Sequence, residues 1–207
     1  MSFNQTLQTA LSKVTSITTE QLTQISTYLT ELEKWNRTHN LTAIRNRDDM
    51  ITRHISDSLT LLPYLHGTDL LDIGTGAGLP GIPLAIARPE LNISLLDSNG
   101  KKCRFLRHIV QVLGLSNVTV FHQRTEQHTQ QYDMVTARAL ATLDQLWQWA
   151  KPLLHPHGEL IAMKGQKPET EIAALHAIDT VEVTLHTLET SQCTEAVARH
   201  ILAVRVA

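Results

Sequence analysis

Two hydrophobic rhythms divide the chain near residue 66. From Thr19 to Asn36, Leu22, Ile25, Leu29 and Leu32 recur at intervals of three and four, which is one face of an amphipathic helix. Thr18 or Thr19 can supply the hydroxyl that caps its first turn. A second helical stretch is predicted from Asp48 to Leu62, with Pro63 as its stop, because a proline ring disfavours helix at the residue before it. Residues 1–66 are therefore expected to form a helical extension.

From Thr68 the rhythm changes to short apolar runs separated by helical segments. Leu70–Ile73, Ile93–Asp97, Val118–Phe121, Met134–Ala137 and Leu160–Met163 have the length and composition of buried parallel strands. Between the second and third runs, Cys103, Leu106, Val110 and Leu113 share one helical face. Such alternation predicts an α/β fold with a doubly wound, Rossmann-like sheet over residues 67–207. Val181–Leu185 and Ile201–Val206 lack a long helix between them, so they are expected to pair antiparallel at the end of a sheet of about seven strands.

Composition narrows the class. With 207 residues, 42% of them hydrophobic, the chain can bury one α/β domain and a small appendage, so one site is expected. No apolar run of roughly 18 residues occurs, and the N-terminus lacks a basic region followed by an apolar core, so a soluble cytoplasmic protein without a membrane partner is expected. Cys103 and Cys193 stand far apart with no CxxC spacing and read as buried thiols. Eleven histidines include no HExxH, and His155 and His157 flank what reads as a turn proline, Pro156, so no metal is expected. A net charge of −2 means that nucleic-acid binding would need a local basic patch.

The candidate chemistry starts at Asp72-Ile73-Gly74-Thr75-Gly76-Ala77-Gly78-Leu79-Pro80-Gly81, directly after the first strand and before a helical pattern. Glycines there let the backbone turn sharply and approach a ligand without an intervening Cβ. Asp97 ends the next strand, where a carboxylate accepts hydrogen bonds from ribose hydroxyls. The combination points to a nucleoside cofactor. Gly76, Gly78 and Gly81 also fit GxGxxG, so a nicotinamide cofactor stays open beside S-adenosylmethionine. Asp72 before the glycines, the lack of a second substrate domain and the antiparallel sheet end lean toward the methyl donor. Tyr132, in the region where a reductase carries its pair, lacks a YxxxK spacing.

Gln123-Arg124-Thr125-Glu126 follows the third strand, where an adenine edge would lie, and Glu126 could orient the adenosyl group. Arg138 ends the fourth strand at the carboxyl edge, where open α/β sheets bind ligands; a salt-bridged structural arginine is the other reading. Basic residues gather in three places: Lys101, Lys102, Arg104 and Arg107 on one helix, Arg45, Arg47 and Arg53 in the extension, and Lys164 and Lys167 after the fifth strand. If they converge at the cofactor mouth they form a phosphate-binding rim; patch by patch they read as solvated faces. His54, Asp57 and Ser58 supply the residue types of a hydrolytic triad but sit within one short segment without a GxSxG elbow.

Longer strings carry a family resemblance. Trp35-Asn36, Asn40-Leu41-Thr42-Ala43-Ile44-Arg45 and Arg53-His54-Ile55-Ser56-Asp57-Ser58-Leu59, followed by Leu71 to Leu84, Leu95-Leu96-Asp97-Ser98, Gly100-Lys101-Lys102 and Ala162-Met163-Lys164-Gly165, resemble the 16S rRNA guanine-N7 methyltransferase G family, also called glucose-inhibited division protein B. The resemblance spans most of residues 35 to 166; Asn99 stands where the family commonly has an apolar residue. It implies a class I S-adenosylmethionine-dependent methyltransferase acting on a guanine N7 in 16S rRNA or an assembling small subunit, with no oligomer required. It implies cofactor contacts at Gly74, Leu79, Thr125, Glu126 and Arg138, beside Gly76 and Gly78 of the loop and Asp97 near the ribose. Arg53, His54, Lys101, Lys102 and Lys164 become the candidate RNA contacts. The rival classes are a small nicotinamide-dependent oxidoreductase and a non-catalytic RNA-binding module.

Overall fold

The computed structural model describes residues 3–12, 14–165, 168–188 and 199–207; Lys167 and Cys193 lie outside them. The strands are β1 (Asp69–Ile73), β2 (Asn92–Asp97), β3 (Val118–His122), β4 (Tyr132–Arg138), β5 (Leu154–Lys164), β6 (Val181–Leu188) and β7 (Arg199–Val206). They form one sheet in the order β3-β2-β1-β4-β5-β7-β6. β1 to β5 run parallel, and β7 is antiparallel to both β5 and β6. The order reverses between β1 and β4, which opens a crevice at the carboxyl ends of the strands.

The helices are α1 (Phe3–Leu11), α2 (Thr19–His39), α3 (Arg47–Met50), α4 (Asp57–Leu59), α5 (Gly81–Ala87), α6 (Gly100–Leu113), α7 (Leu143–Ala150) and α8 (Pro168–His176). Thr18 caps α2: its hydroxyl accepts from the Gln21 amide at 3.2 Å, and the Gln21 side chain accepts from the Thr18 amide at 3.0 Å. Asn99 caps α6 by accepting from the amides of Lys101 and Lys102, which gives this departure from the family pattern a physical role.

Side chains along the central strands alternate between two cores, as a pleated strand requires. Leu70, Met134 and Ile161 join an apolar cluster with Ile82, Phe105 and Leu106, and that cluster continues into Leu7, Leu11, Ile25, Leu29 and Leu32 of the extension. Leu71, Val135 and Leu160 enter the opposite cluster, against Leu143, Leu146 and Trp147 of α7. The extension is thus fused to one face of the sheet. Polar ties reinforce the contact: Gln21 Nε2 donates to the Ile86 carbonyl at 2.9 Å, and Tyr28 Oη donates to the Ala77 carbonyl at 3.0 Å. Burial pushes the Tyr28 phenol pKa upward, so it stays a donor.

One sequence expectation needs correction. The helix predicted over 48–62 is instead α3, a π-helical stretch Ile51–Ser56, and α4; Pro63 sits inside a short 3-10 turn, Leu62–Tyr64. Pro156 lies in the irregular start of β5, where the partner of β4 advances from Leu154 opposite Tyr132 to Glu159 opposite Met134 and His157 turns the backbone at φ +69°. Cys103 is a buried free thiol. Among the described residues no helix is long and apolar enough to cross a membrane.

Candidate cofactor site

The turn after β1 is shaped by its glycines. Gly74 has φ +62°, and a Cβ there would meet the Leu140 side chain at 2.6 Å. Gly78 has φ +93° and is buried; its Cβ space is filled by Ile82 and Leu106, so it serves packing behind the site wall. Asp72 fastens the turn from beneath, with Oδ2 accepting from Thr75 Oγ1 at 2.6 Å and from the Gly81 amide at 2.9 Å. Its Oδ1 is buried without a partner among the described residues. Burial pushes the Asp72 carboxyl up to about 7, against the hydrogen bonds that favour its anion.

That shift has a testable sign. An unfolded aspartate titrates near ~3.9, so the folded state binds the proton more tightly and the stability it contributes is complete below about pH 4. It is lost as pH rises through about 7. Asp72→Asn keeps an oxygen for Thr75 and Gly81 and removes the charge. The ligand-free variant should therefore melt above the parent at pH 8, with the gap closing toward pH 4. Parallel melting curves across that range would show that the carboxyl ionises freely.

Two cavities of about 400 Å³ each open at the crevice. The first is lined by Gly74, Gly76, Leu79, Asp57, Arg138 and Met163 among others; the second by Asp97, Asn99, Arg124, Thr125, Glu126 and Trp149 among others. Gly74, Lys102 and Leu140 line both, so the glycine turn is where they meet. Asp97 is 7% exposed; one oxygen accepts from the Gly76 amide at 2.9 Å and the other from the Asn99 amide at 2.8 Å. A carboxylate offers about four lone-pair sites, so it can still accept from two ribose hydroxyls. The polar second cavity, the ribose acceptor and the glycine junction fit an adenosyl cofactor with an amino-acid tail.

Arg138 proves to be both cavity wall and structural tie. Its Nη1 donates to the Arg53 carbonyl at 2.8 Å and to Asp57 Oδ2 at 3.2 Å, and Nη2 lies 3.4 Å from His54 Nδ1. Asp57 Oδ1 faces Arg199 Nε at 3.7 Å. His54 is 4% exposed, and burial followed by the Arg138 charge holds its imidazole at about 4. It is neutral at pH 7, so Nδ1 accepts from Arg138 and Nε2–H donates to Thr42 Oγ1 at 2.9 Å. Ser58 donates to the His54 backbone carbonyl rather than facing its ring, so there is no triad.

The candidate RNA contacts separate by placement. Arg53 and Lys101 are exposed, and Lys101 shares a shallow depression with Arg104 and Arg107. Lys102 turns inward, its ammonium 3.7 Å from Asp97. Lys164 is spent on structure: its ammonium donates to the Ala141 carbonyl and pairs with Glu171 at 2.6 Å. His54 is buried behind Arg138. Tyr132 is a core residue whose hydroxyl lies 2.9 Å from His128 Nε2. At the far end of the sheet Asp69, Asp133 and His155 come within 4.8 Å of one another, but Asp69 accepts from the Asp133 amide and Asp133 from the Thr68 amide. Leu140, Trp149, Asp57 and Thr42 reach the cavities without any local sequence signal that assigned them there.

A seven-stranded sheet of this order, with a glycine turn after β1 and an acid ending β2, defines a class I S-adenosylmethionine-dependent methyltransferase. A SAM-dependent methyltransferase from Aquifex aeolicus has the same fold, with a TM-score of 0.60 over 81% of this chain and 97% of that one at 16% identity. The family described as rRNA small subunit methyltransferase G matches residues 21–202, and the chain belongs to it. Ribosomal RNA small subunit methyltransferase G of Marinomonas sp. is 48% identical over 162 residues, covering 77% of this chain and 78% of that protein. The protein of that name from Hydrogenovibrio crunogenus is 52% identical over 150 residues, covering 72% and 69%.

Proposed function

We propose that the protein transfers the methyl group of S-adenosylmethionine to N7 of a guanine in the small-subunit, 16S ribosomal RNA. The observation that carries this reading is the pair of cavities joined at Gly74 in a member of the rRNA small subunit methyltransferase G family. When bound, the cofactor supplies an electrophilic methyl on a sulfonium. Asp97 holds the ribose, the Thr125-Glu126 turn borders the adenosine, and Arg138 faces the amino-acid end. Guanine N7 has an in-plane lone pair and no proton to lose, so no side chain has to act as general base. The chain's work is orientation, worth roughly 7–11 kcal/mol for well-aligned reactants.

Residues 67–207 serve as the transfer domain, and residues 1–66 as a helical extension that fixes Arg138 through Arg53 and Asp57. The RNA backbone meets Arg53, Lys101, Arg104 and Arg107, while Lys102, Lys164 and His54 act from inside the fold. An rRNA substrate accords with action in the cytoplasm, and one copy of the chain holds every group invoked. Transfer of labelled methyl to undermethylated small subunits, with mapping of N7-methylguanosine, tests the reading. RNA affinity should fall steeply on a log–log plot against salt while cofactor affinity stays flat, because only phosphate contacts release counterions. Absence of labelled N7-methylguanosine, or a flat RNA plot, refutes the respective part.

A further inference from the structure

We propose that Asp57 and Arg199 together read the Watson–Crick edge of the target base, and that Asp57 is what selects guanine over adenine. This rests on the methyltransferase reading above and deepens it. Both purines carry an in-plane lone pair at N7, so the transfer chemistry by itself does not separate them. Their Watson–Crick edges do. Guanine presents the O6 acceptor beside N1–H and N2–H donors, whereas adenine presents an amino donor beside a bare N1. Enzymes that act on a base turned out of its stack read it along this edge.

The first cavity has room for that base on the side away from the adenosine. The second cavity draws Asp97 from β2 and Gln123 from the loop after β3, whereas the first draws Gly74 after β1, Arg138 from β4, Met163 from β5 and Arg199 from β7. β1, β4, β5 and β7 are successive neighbours in the sheet, so three strand spacings carry the first cavity about 14 Å past the glycine turn. β7 runs antiparallel, which places its start at the carboxyl edge of β5, with His200 opposite Lys164. The amino-acid end of the cofactor takes the part beside the turn. The part toward β7 is left for the base that receives the methyl.

Among the described residues that line this cavity, Asp57 is the one carboxylate, brought there from the extension by α4. It is 9% exposed, and its two oxygens are presented differently. Oδ2 accepts from Arg138 Nη1 at 3.2 Å, while Oδ1 faces Arg199 Nε at 3.7 Å, an ion pair too long for a hydrogen bond. A carboxylate offers about four lone-pair sites, so acceptor capacity remains on the Oδ1 side for N1–H and N2–H. The Arg199 guanidinium beside it is all donor, which suits O6 and opposes the amino group of adenine. The cofactor's ammonium is a poorer match for Asp57, because the guanidiniums of Arg138 and Arg199 already balance this charge. Neutral N–H donors need only its lone pairs.

The test uses the whole protein and undermethylated small subunits that carry guanine, inosine or adenine at the position mapped by N7-methylguanosine. Inosine keeps O6 and N1–H and lacks the N2 amino group. The parent should methylate guanine about five- to a hundredfold faster than inosine, and adenine more slowly still. Asp57→Asn keeps the shape and one acceptor but replaces the other oxygen by an amino donor, which suits a bare N1. It should slow transfer to guanine by about tenfold or more, erase most of the preference over inosine, and shift the guanine-to-adenine ratio toward adenine. Its affinity for S-adenosylhomocysteine should stay within about threefold of the parent. Arg199→Gln should narrow the guanine–adenine gap yet keep the preference over inosine, since O6 is common to guanine and inosine. A parent that treats guanine and inosine alike overturns the assignment without any variant, so the proposal stays exposed even if Asp57→Asn does not fold. Unchanged base preferences in Asp57→Asn, with affinity for S-adenosylhomocysteine lost, would make Asp57 a cofactor ligand and overturn it as well. Either result leaves the methyltransferase reading intact, whereas a parent that forms no N7-methylguanosine sinks both.

Discussion

Gly74→Val is expected to lower cofactor affinity by at least about a hundredfold, or about 3 kcal/mol. The backbone at Gly74 has φ +62°, where a β-branched residue is a steric outlier. Its Cβ would fall on the Leu140 side chain, and Gly74 is where the two cavities meet, so any branch that avoids Leu140 enters the ligand's path. Strain and overpacking together cost about 2–4 kcal/mol, and for a chain of this size a melting point lower by about 5–15 °C. Gly74→Ala separates the effects. Leu140 is exposed and its side-chain tip can swing aside, so alanine should keep measurable binding while still losing stability to the left-handed backbone. Calorimetric titration with S-adenosylhomocysteine on folded protein reads the outcome. Parental affinity in the valine variant would put the cofactor elsewhere.

Arg138→Lys is expected to lose methyl transfer by more than about tenfold, with a smaller loss of RNA binding. From sequence alone a ligand arginine with little structural role would leave melting unchanged. The geometry changes that expectation, because Nη1 serves both the Arg53 carbonyl and Asp57 while the guanidinium lines the first cavity. A lysine keeps the charge beside Asp57 but cannot reproduce a planar fork that bonds the extension and faces the cavity together. Lost hydrogen bonds of this kind cost about 1–2 kcal/mol, so melting should drop by about 2–8 °C. RNA binding should suffer less, since exposed basic groups supply most phosphate contacts. Thermal melting, filter binding and methyl transfer to undermethylated subunits, each on the same preparation, separate the roles. A variant that melts early yet methylates normally per folded molecule would make Arg138 purely structural.

The sequence by itself determined the layers and the chemistry class, because both rest on local rules. Short apolar runs and period-3.6 apolar patterns are read residue by residue, so all seven strands, α2 and α6 were legible, and the antiparallel end of the sheet followed from the lack of a long helical pattern in the sequence between its last two apolar runs. The glycine turn and Asp97 were legible for the same reason: a turn, a strand end and an acid have fixed relations along one βαβ unit. What only the tertiary structure decided are contacts between segments far apart in the chain. Asp57 meets Arg138 across the junction of extension and sheet, Lys164 is diverted to Ala141 and Glu171, and Trp149 of α7 lines a cavity together with Asp97 and Thr125. No periodicity encodes which of several lysines stays solvated, because that depends on where a distant carboxylate or carbonyl lands once the core has closed. The π-helical stretch at Ile51–Ser56 belongs to the same category: its apolar spacing reads as ordinary helix, and only packing of the extension against the sheet selects the wider turn that sets His54 and Asp57 toward Arg138.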